Sequence, residues 1–360
     1  MIRFLHAADL HLDSPFSGLS PERAAQRRKE QRTVPMQLAE LANAYDCGLM
    51  LLPGDLFDSD NVYPETVEAL ARAFAACRAQ IVIAPGNHDY AAAGSAYRTA
   101  EWPENVHIFT ESAVSAFEFP ELGCRVYGAA FTGPEARDLL TGFSAERDGL
   151  AQLMVLHGDA VNNQSPYNYI SKAEIAGSGL DYLALGHVHA AALSAAGDVS
   201  YGYCGCPEGR GFDELGDKGF LTGQVERGHA ELRFMPFARR RYCIVQADVT
   251  EGDPLAALER TLPHDTESDI YRIRLTGTPE EPPRLPLLQE ALAERFFALQ
   301  LRDETSVRRE VWDRCGEDTL RGLFLEELRR QYDAAPDDGA RRRIEQAARF
   351  GAAAMDNREV

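Results

Sequence analysis

Gly54-Asp55-Leu56-Phe57-Asp58, directly after the apolar run Leu49-Met50-Leu51-Leu52, decides the fold. Four large apolar residues closed by a glycine and a carboxylate read as a strand buried on both faces, with a reactive group at its tip. The pattern recurs along the first half of the chain. Residues 2–8 lead into Asp9-Leu10-His11, and residues 81–84 into Gly86-Asn87-His88-Asp89. Met154-Val155-Leu156 leads into His157-Gly158-Asp159, and Leu183-Ala184-Leu185 into Gly186-His187-Val188-His189. Open α/β sheets bind their ligands at the carboxyl ends of strands, so five such tips predict one shared site.

Between these strands the chain reads as helix. Residues 21–46 are polar and then amphipathic, with Pro35 placed to kink or split them, and residues 64–79 carry apolar positions at helical spacing. Shorter β runs follow at 106–109, 116–119 and 124–130, and a Gly-punctuated series at 199–204, 219–225 and 230–237. This order predicts an α/β fold, a four-layer α/β/β/α sandwich. After Arg239-Arg240-Arg241 the pattern becomes β-α-β-α-β, with strands over 242–249, 270–275 and 298–302 and helices over 253–262 and 285–297. Residues 320–332 and 340–355 read as helices broken at Pro336-Asp337-Asp338-Gly339. The expected domains are 1–238, a small α+β capping domain over 239–306, and C-terminal helices over 307–360.

Composition sets bounds. With 45% hydrophobic and 26% charged residues in 360, a disordered chain is excluded. No apolar run approaches the roughly 18–20 residues of a membrane span, and the N-terminus shows no secretory signal. The seven cysteines are an odd number without a C-x-x-C, which suits free thiols and a cytoplasmic protein. A net charge of −19 opposes nucleic-acid binding by the chain as a whole. Arginine clusters at 239–241, 308–309, 329–330 and 341–343 read as solvated faces.

The tips carry ligand chemistry. Asp9, His11, Asp55, Asn87, His157, His187 and His189 make a mixed His, carboxylate and amide set suited to Mn, Fe or Zn. One ion would not use seven donors; two would, with a carboxylate shared, and Asp55 on a central strand is the expected bridge. His6, His107, His229 and His264 lie outside the clusters and read as structural. So do Cys204 and Cys206, while Tyr167 and Tyr169 read as packing or as a platform for a base.

In this order D-x-H, G-D-x-x-D, G-N-H-D, H-G and G-H-x-H resemble the calcineurin-type metallophosphoesterases. The G-N-H-D form resembles their DNA repair exonuclease branch, the SbcD-like nucleases. Asp9–Pro15 and the run from Gly205 to Glu214, ending Gly216-Asp217-Lys218-Gly219, are most similar to its YhaO-type group. Ala190-Ala191-Ala192 stands where SbcD-type sequences usually carry Pro-Gln. The resemblance implies one cation on Asp9, His11, Asp55 and His189 and a second on Asp55, Asn87, His157 and His187. It implies His88 as the catalytic histidine, with Asp58 and Asp89 supporting it or shaping its turn and Asp89 fixing its ring. Arg210 and Asn87 are the candidates for touching phosphate. The implied function is a Mn-dependent DNA exonuclease, and single-strand endonuclease, partnered by a coiled-coil SMC-like ATPase on the C-terminal helices, with a homodimer as a further partnership. The alternatives are a phosphodiesterase or phosphatase on small nucleotides or phosphoproteins, and a DNA-end scaffold with little activity.

Overall fold

The computed structural model describes residues 1–146, 148–306 and 309–355. Arg308, one of the clustered arginines, lies outside them. The chain divides into two compact units, Met1–Arg241 and Tyr242–Val360.

In the first unit the strands are β1 (Ile2–His6), β2 (Leu49–Leu52), β3 (Gln80–Ile83), β4 (Val106–Ile108), β5 (Ser115–Phe119), β6 (Cys124–Gly128), β7 (Ala151–His157), β8 (Tyr182–Gly186), β9 (Ala192–Ala196), β10 (Val199–Tyr203), β11 (Gly219–Glu226) and β12 (His229–Pro236). They form two six-stranded sheets, in the orders β12-β11-β1-β2-β3-β4 and β5-β6-β7-β8-β10-β9. β1 to β4 run parallel, as do β6, β7, β8 and β10. The remaining pairings, β1–β11, β11–β12, β5–β6 and β9–β10, are antiparallel.

Alternation along the strands builds the layers. Phe4, Leu49, Leu51 and Val82 point inward and meet Val126, Leu153, Val155 and Ala184 of the other sheet. After α1 (Pro21–Gln31), helices α2 (Val34–Ala44) and α3 (Pro64–Ala75) lie over the outward-pointing Leu5, Met50, Leu52, Ile81 and Ile83, covering them with Val34, Leu38, Leu70 and Phe74. Outside the second sheet, Met154, Leu156, Leu183 and Leu185 pack under Ile170 and under Ile175 of α5 (Lys172–Gly177), the short α4 (Ala96–Thr99) having come before. The order is α/β/β/α, as expected. The expected 21–46 stretch is split at Arg32-Thr33, and Pro35 sits in the first turn of α2, where its missing N–H costs nothing.

The second unit pairs β13 (Tyr242–Asp248), β14 (Ile270–Thr276) and β15 (Ala298–Asp303) in parallel, with α6 (Pro254–Thr261) and α7 (Leu285–Ala291) packed through Leu258 and Leu288. The helix expected over 285–297 stops early, followed by a single 3-10 turn at Ala293–Arg295, because Phe296 turns into the core. After the five-residue α8 (Arg309–Asp313), α9 (Leu320–Asp333) and α10 (Asp338–Met355) form a hairpin that buries Leu325 and Ala348. Phe324 lies on Gly351, where any side chain would collide with its ring. Leu320 and Leu323 remain exposed, 76% and 59%. None of the described helices is long and apolar enough to cross a membrane.

Candidate metal centre

The carboxyl ends of β1, β2, β3, β7 and β8 bring all seven expected donors together. Two close approaches make this possible. A side chain on Gly86 would strike the Asp55 carboxylate, and one on Gly186 would strike the Pro53 carbonyl oxygen. The donors leave their strands in left-handed backbone conformations, with φ of 54° at Asp9, 44° at His11, 51° at Asp55 and 96° at His187. Strain of this kind concentrates at functional sites.

Two groups of donors share Asp55. On one side, His11 Nε2 lies 3.3 Å from His189 Nε2 and 3.7 Å from Asp55 Oδ2, and His189 Nε2 lies 3.9 Å from Asp9 Oδ1. On the other, Asn87 Oδ1 lies 2.9 Å from His157 Nε2 and 3.3 Å from His187 Nδ1, and His157 Nε2 lies 3.4 Å from Asp55 Oδ2. Donors held about 2.0–2.2 Å from one cation stand roughly 3–3.5 Å from one another, so these spacings fit ligand sets. Asp55 Oδ2 stands between the two groups, within reach of both His11 and His157.

The imidazoles are pre-aimed. His157 Nδ1–H donates to the Pro53 carbonyl at 2.9 Å, and His189 Nδ1–H donates to Glu214 at 2.8 Å. In the neutral ring, each bond leaves the lone pair on Nε2, facing the site. Asp9, Asp55, His11 and His157 are essentially inaccessible to solvent.

Electrostatics make the same point. Burial pushes the Asp9 carboxyl up to about 8, against the pull of His189, and raises Asp55 as well. Burial lowers His157 and His187 to about 4, with neighbouring imidazoles adding to the effect, and drives His11 well down. His189 alone is raised: burial opposes its charge, but the Glu214 hydrogen bond and the Asp9 charge outweigh it. Buried carboxylates beside neutral imidazoles form a cage short of positive charge, and divalent cations fit it.

The supporting residues differ in part from expectation. Asp89 does not fix the His88 ring. It is buried, and its oxygens accept from the backbone N–H groups of Asp55, Leu56, Phe57 and Gly86 and from the Tyr97 hydroxyl at 2.5 Å. It shapes the Asp55 turn instead. His88 stands exposed at the rim, with Nδ1 2.9 Å from the main-chain oxygen of Asp58. Arg210 is held from two sides, donating to Glu214 at 2.6 Å and to Asp58 Oδ1 at 3.2 Å.

Glu214 is the residue that sequence reasoning passed over. It is 4% exposed and accepts from His189, from the Arg210 guanidinium and from the Arg210 backbone N–H at 2.8 Å. Those bonds hold its carboxyl far below the usual range despite burial. Lys218 completes the brace by donating to the His189 carbonyl at 2.8 Å. Among the other readings, His6 is buried between the Tyr182 hydroxyl and the Leu185 carbonyl, so it is structural. Tyr167 packs its ring 5.0 Å from that of His187. Cys204 and Cys206 are free and buried, as are three of the other five cysteines.

The sequence pattern of the calcineurin-like phosphoesterases matches residues 2–191. The chain is 32% identical to the metallophosphoesterase YhaO of Bacillus subtilis over 340 residues, covering 84% of this chain and 82% of that protein. It is 31% identical to the SbcD component of the nuclease SbcCD of Rhodobacter capsulatus over 157 residues, covering 42% of this chain and 33% of that one. A Thermus thermophilus protein of known structure aligns over 65% of this chain and 98% of its own at 11% identity and a TM-score of 0.38, too loosely to bear on function. The chain belongs to the calcineurin-like phosphoesterases, metal-dependent phosphoester hydrolases that hold two divalent cations.

Proposed function

We propose that this chain is a Mn-dependent DNA phosphodiesterase, an exonuclease that also opens single strands, serving as the nuclease half of a complex with an SMC-like ATPase. The observation that carries the hydrolase reading is the pair of donor groups sharing Asp55: Asp9, His11 and His189 on one side, Asn87, His157 and His187 on the other. Two divalent cations held there supply charge neutralisation for a phosphodiester and a nucleophilic water near neutral pH. The chain's own residues do the rest. Asn87, whose Oδ1 faces His157 and His187, keeps its amide N–H to donate to a phosphate oxygen. His88, with its Nδ1–H committed to the Asp58 carbonyl, turns Nε2 toward the departing oxygen; acting as the doubly protonated ring, it gives up the Nε2 proton and is left neutral. Arg210 keeps Asp58 and Glu214 in place rather than reaching for phosphate.

Similarity to a nuclease component over 157 residues supports the DNA reading. The arginine clusters lend it little, because Arg240 pairs with Glu30, Arg330 with Glu327, Arg329 with Asp333 and Arg341 with Asp338. We therefore assign DNA delivery to the partner ATPase and place its docking on the exposed Leu320 and Leu323 of α9. The domain limits 1–238, 239–306 and 307–360 belong to this proposal. A second reading, a phosphodiesterase on small nucleotides, is favoured by the net charge of −19.

The test is cleavage of labelled single- and double-stranded DNA by the metal-stripped chain resupplied with Mn, beside His88→Ala. Cleavage that needs Mn and falls about 10²–10⁴-fold in the variant supports the DNA reading. Turnover of bis(p-nitrophenyl) phosphate without DNA cleavage moves the assignment to small substrates.

A further inference from the structure

A cavity of about 270 Å³ opens beside the metal centre and shares Asp58 with it. Its floor is apolar: Leu12 and Phe57 are 2% and 1% exposed, and Pro15 lies next to them. Its rim is polar and aromatic, formed by Asp13, Asp58 and Tyr63.

The walls are preformed. Leu12 N–H donates to the Leu56 carbonyl and Asp58 N–H to the Leu12 carbonyl, so the two sides are laced together like neighbouring strands. Asp13 is fixed by Arg32 at 2.7 Å and by the Thr66 hydroxyl at 2.5 Å, which leaves its charge matched. The wall that contains Leu12, Asp13 and Pro15 is also strained, with φ of 70° at Asp13 and 50° at Phe16, continuing the run that begins at Asp9 and His11. Strain outside the ligands themselves needs its own explanation, and shaping a pocket supplies one.

Tyr63 is 58% exposed. It sits at the N-cap position of α3 yet makes no capping bond with its side chain, so the helix does not account for it. The Arg32 guanidinium lies 6.0 Å from its ring centroid, which stiffens the ring as a platform.

Direction matters as much as shape. Asp58 carries the carbonyl that holds His88 and the carboxylate that holds Arg210. The cavity is thus joined through Asp58, the residue that holds His88, to the rim of the metal centre. We infer that it receives a planar aromatic ring attached close to the scissile phosphate, stacked against Tyr63 over the Leu12 and Phe57 floor. Its volume takes one ring system rather than a stack of bases. This inference rests on the phosphodiesterase reading of the adjoining site. The ring has two sources, the terminal nucleoside of a DNA strand and the base or aryl group of a small ester.

The experiment compares the binding of deoxyadenosine 5′-monophosphate and deoxyribose 5-phosphate to the Mn-loaded chain by calorimetry. It uses the unaltered protein, Tyr63→Ala, and Ser59→Trp, which sets a large ring into the cavity mouth. Both positions are exposed, and thermal melting of each variant checks that it remains folded. The expected result is about tenfold weaker binding of the nucleotide in both variants, within the range for stacking one base on an aromatic side chain. Deoxyribose 5-phosphate keeps its affinity. Nucleotide binding at unaltered strength in both variants overturns the inference. Parallel cleavage of oligonucleotides with normal and abasic ends separates the sources. Sensitivity to Tyr63→Ala only with a normal end assigns the cavity to the strand terminus, and sensitivity only with small esters assigns it to those. If the chain hydrolyses no diester, the phosphodiesterase reading fails, and the binding comparison still decides the cavity.

Discussion

Glu214 ties several parts of the site together. One buried carboxylate sets the tautomer of His189 and neutralises Arg210, which in turn holds Asp58. Glu214→Gln keeps the shape and removes the charge. Calorimetric titration of the metal-stripped variant should show about 10–100-fold weaker binding of one cation, with the His157 side little changed; wild-type affinity at both sites would mean Glu214 only closes its loop. Asp9 predicts the pH dependence. With its carboxyl pushed up to about 8, it is mostly protonated below that pH, so a cation must displace the proton. Affinity should rise with pH until about 8, and titrations in buffers of different ionisation enthalpy should reveal proton release that fades above it. At this scale the sequence was legible where residue type and strand end coincide, as at Asp9, His11 and Asp55. It was not legible for Glu214, because loop residues 25 positions from His189 carry no periodic signal. Asp89 misled because adjacency to His88 suggested a partner, while the turn points its carboxylate to the backbone of another strand end.

Among the elements, α1 braces the Gly205–Glu214 loop. Arg27 is wholly buried and donates to Glu208 at 2.8 Å, to the Gly209 carbonyl at 3.1 Å and to Glu30 at 3.0 Å. Gly209 immediately precedes Arg210, so this helix contact ends one residue from the metal-centre brace. Arg27→Met leaves Glu208 buried without its main cation and should cost about 3–5 kcal/mol in denaturant unfolding. A cost below about 1 kcal/mol would show that the network is solvated in solution. Buried parallel strands were read to within a few residues, because both faces being covered forces an unbroken apolar run. β9 was not foreseen. Ala192–Ala196 is an edge strand, mostly exposed, with no alternation for the eye to find. The helix expected over 285–297 shows the opposite error, an apolar run continued past the point where Phe296 packs inward.

At the scale of the whole molecule, every expected cation donor lies in Met1–Arg241, and the ion pair of Arg240 with Glu30 keeps the end of that unit folded onto itself. A chain ending at Arg241 should therefore bind cations and hydrolyse bis(p-nitrophenyl) phosphate within a few-fold of the full chain. Loss of cation binding would mean that the second unit is needed to form the site. The charge of −19 makes phosphate contacts the weak term in DNA binding. Any DNA cleavage by the isolated chain should therefore depend only weakly on salt, as hydrolysis of the small diester does; a steep fall with salt would mean many phosphate contacts. The sharpest test of two cations sharing Asp55 is the rate of bis(p-nitrophenyl) phosphate hydrolysis as Mn is added stepwise to the metal-stripped chain and to Asp55→Asn. A shared site predicts a rate that climbs to its plateau only when a second cation is bound, and almost none in the variant. A full rate with one cation, or a rate that survives Asp55→Asn, would contradict it.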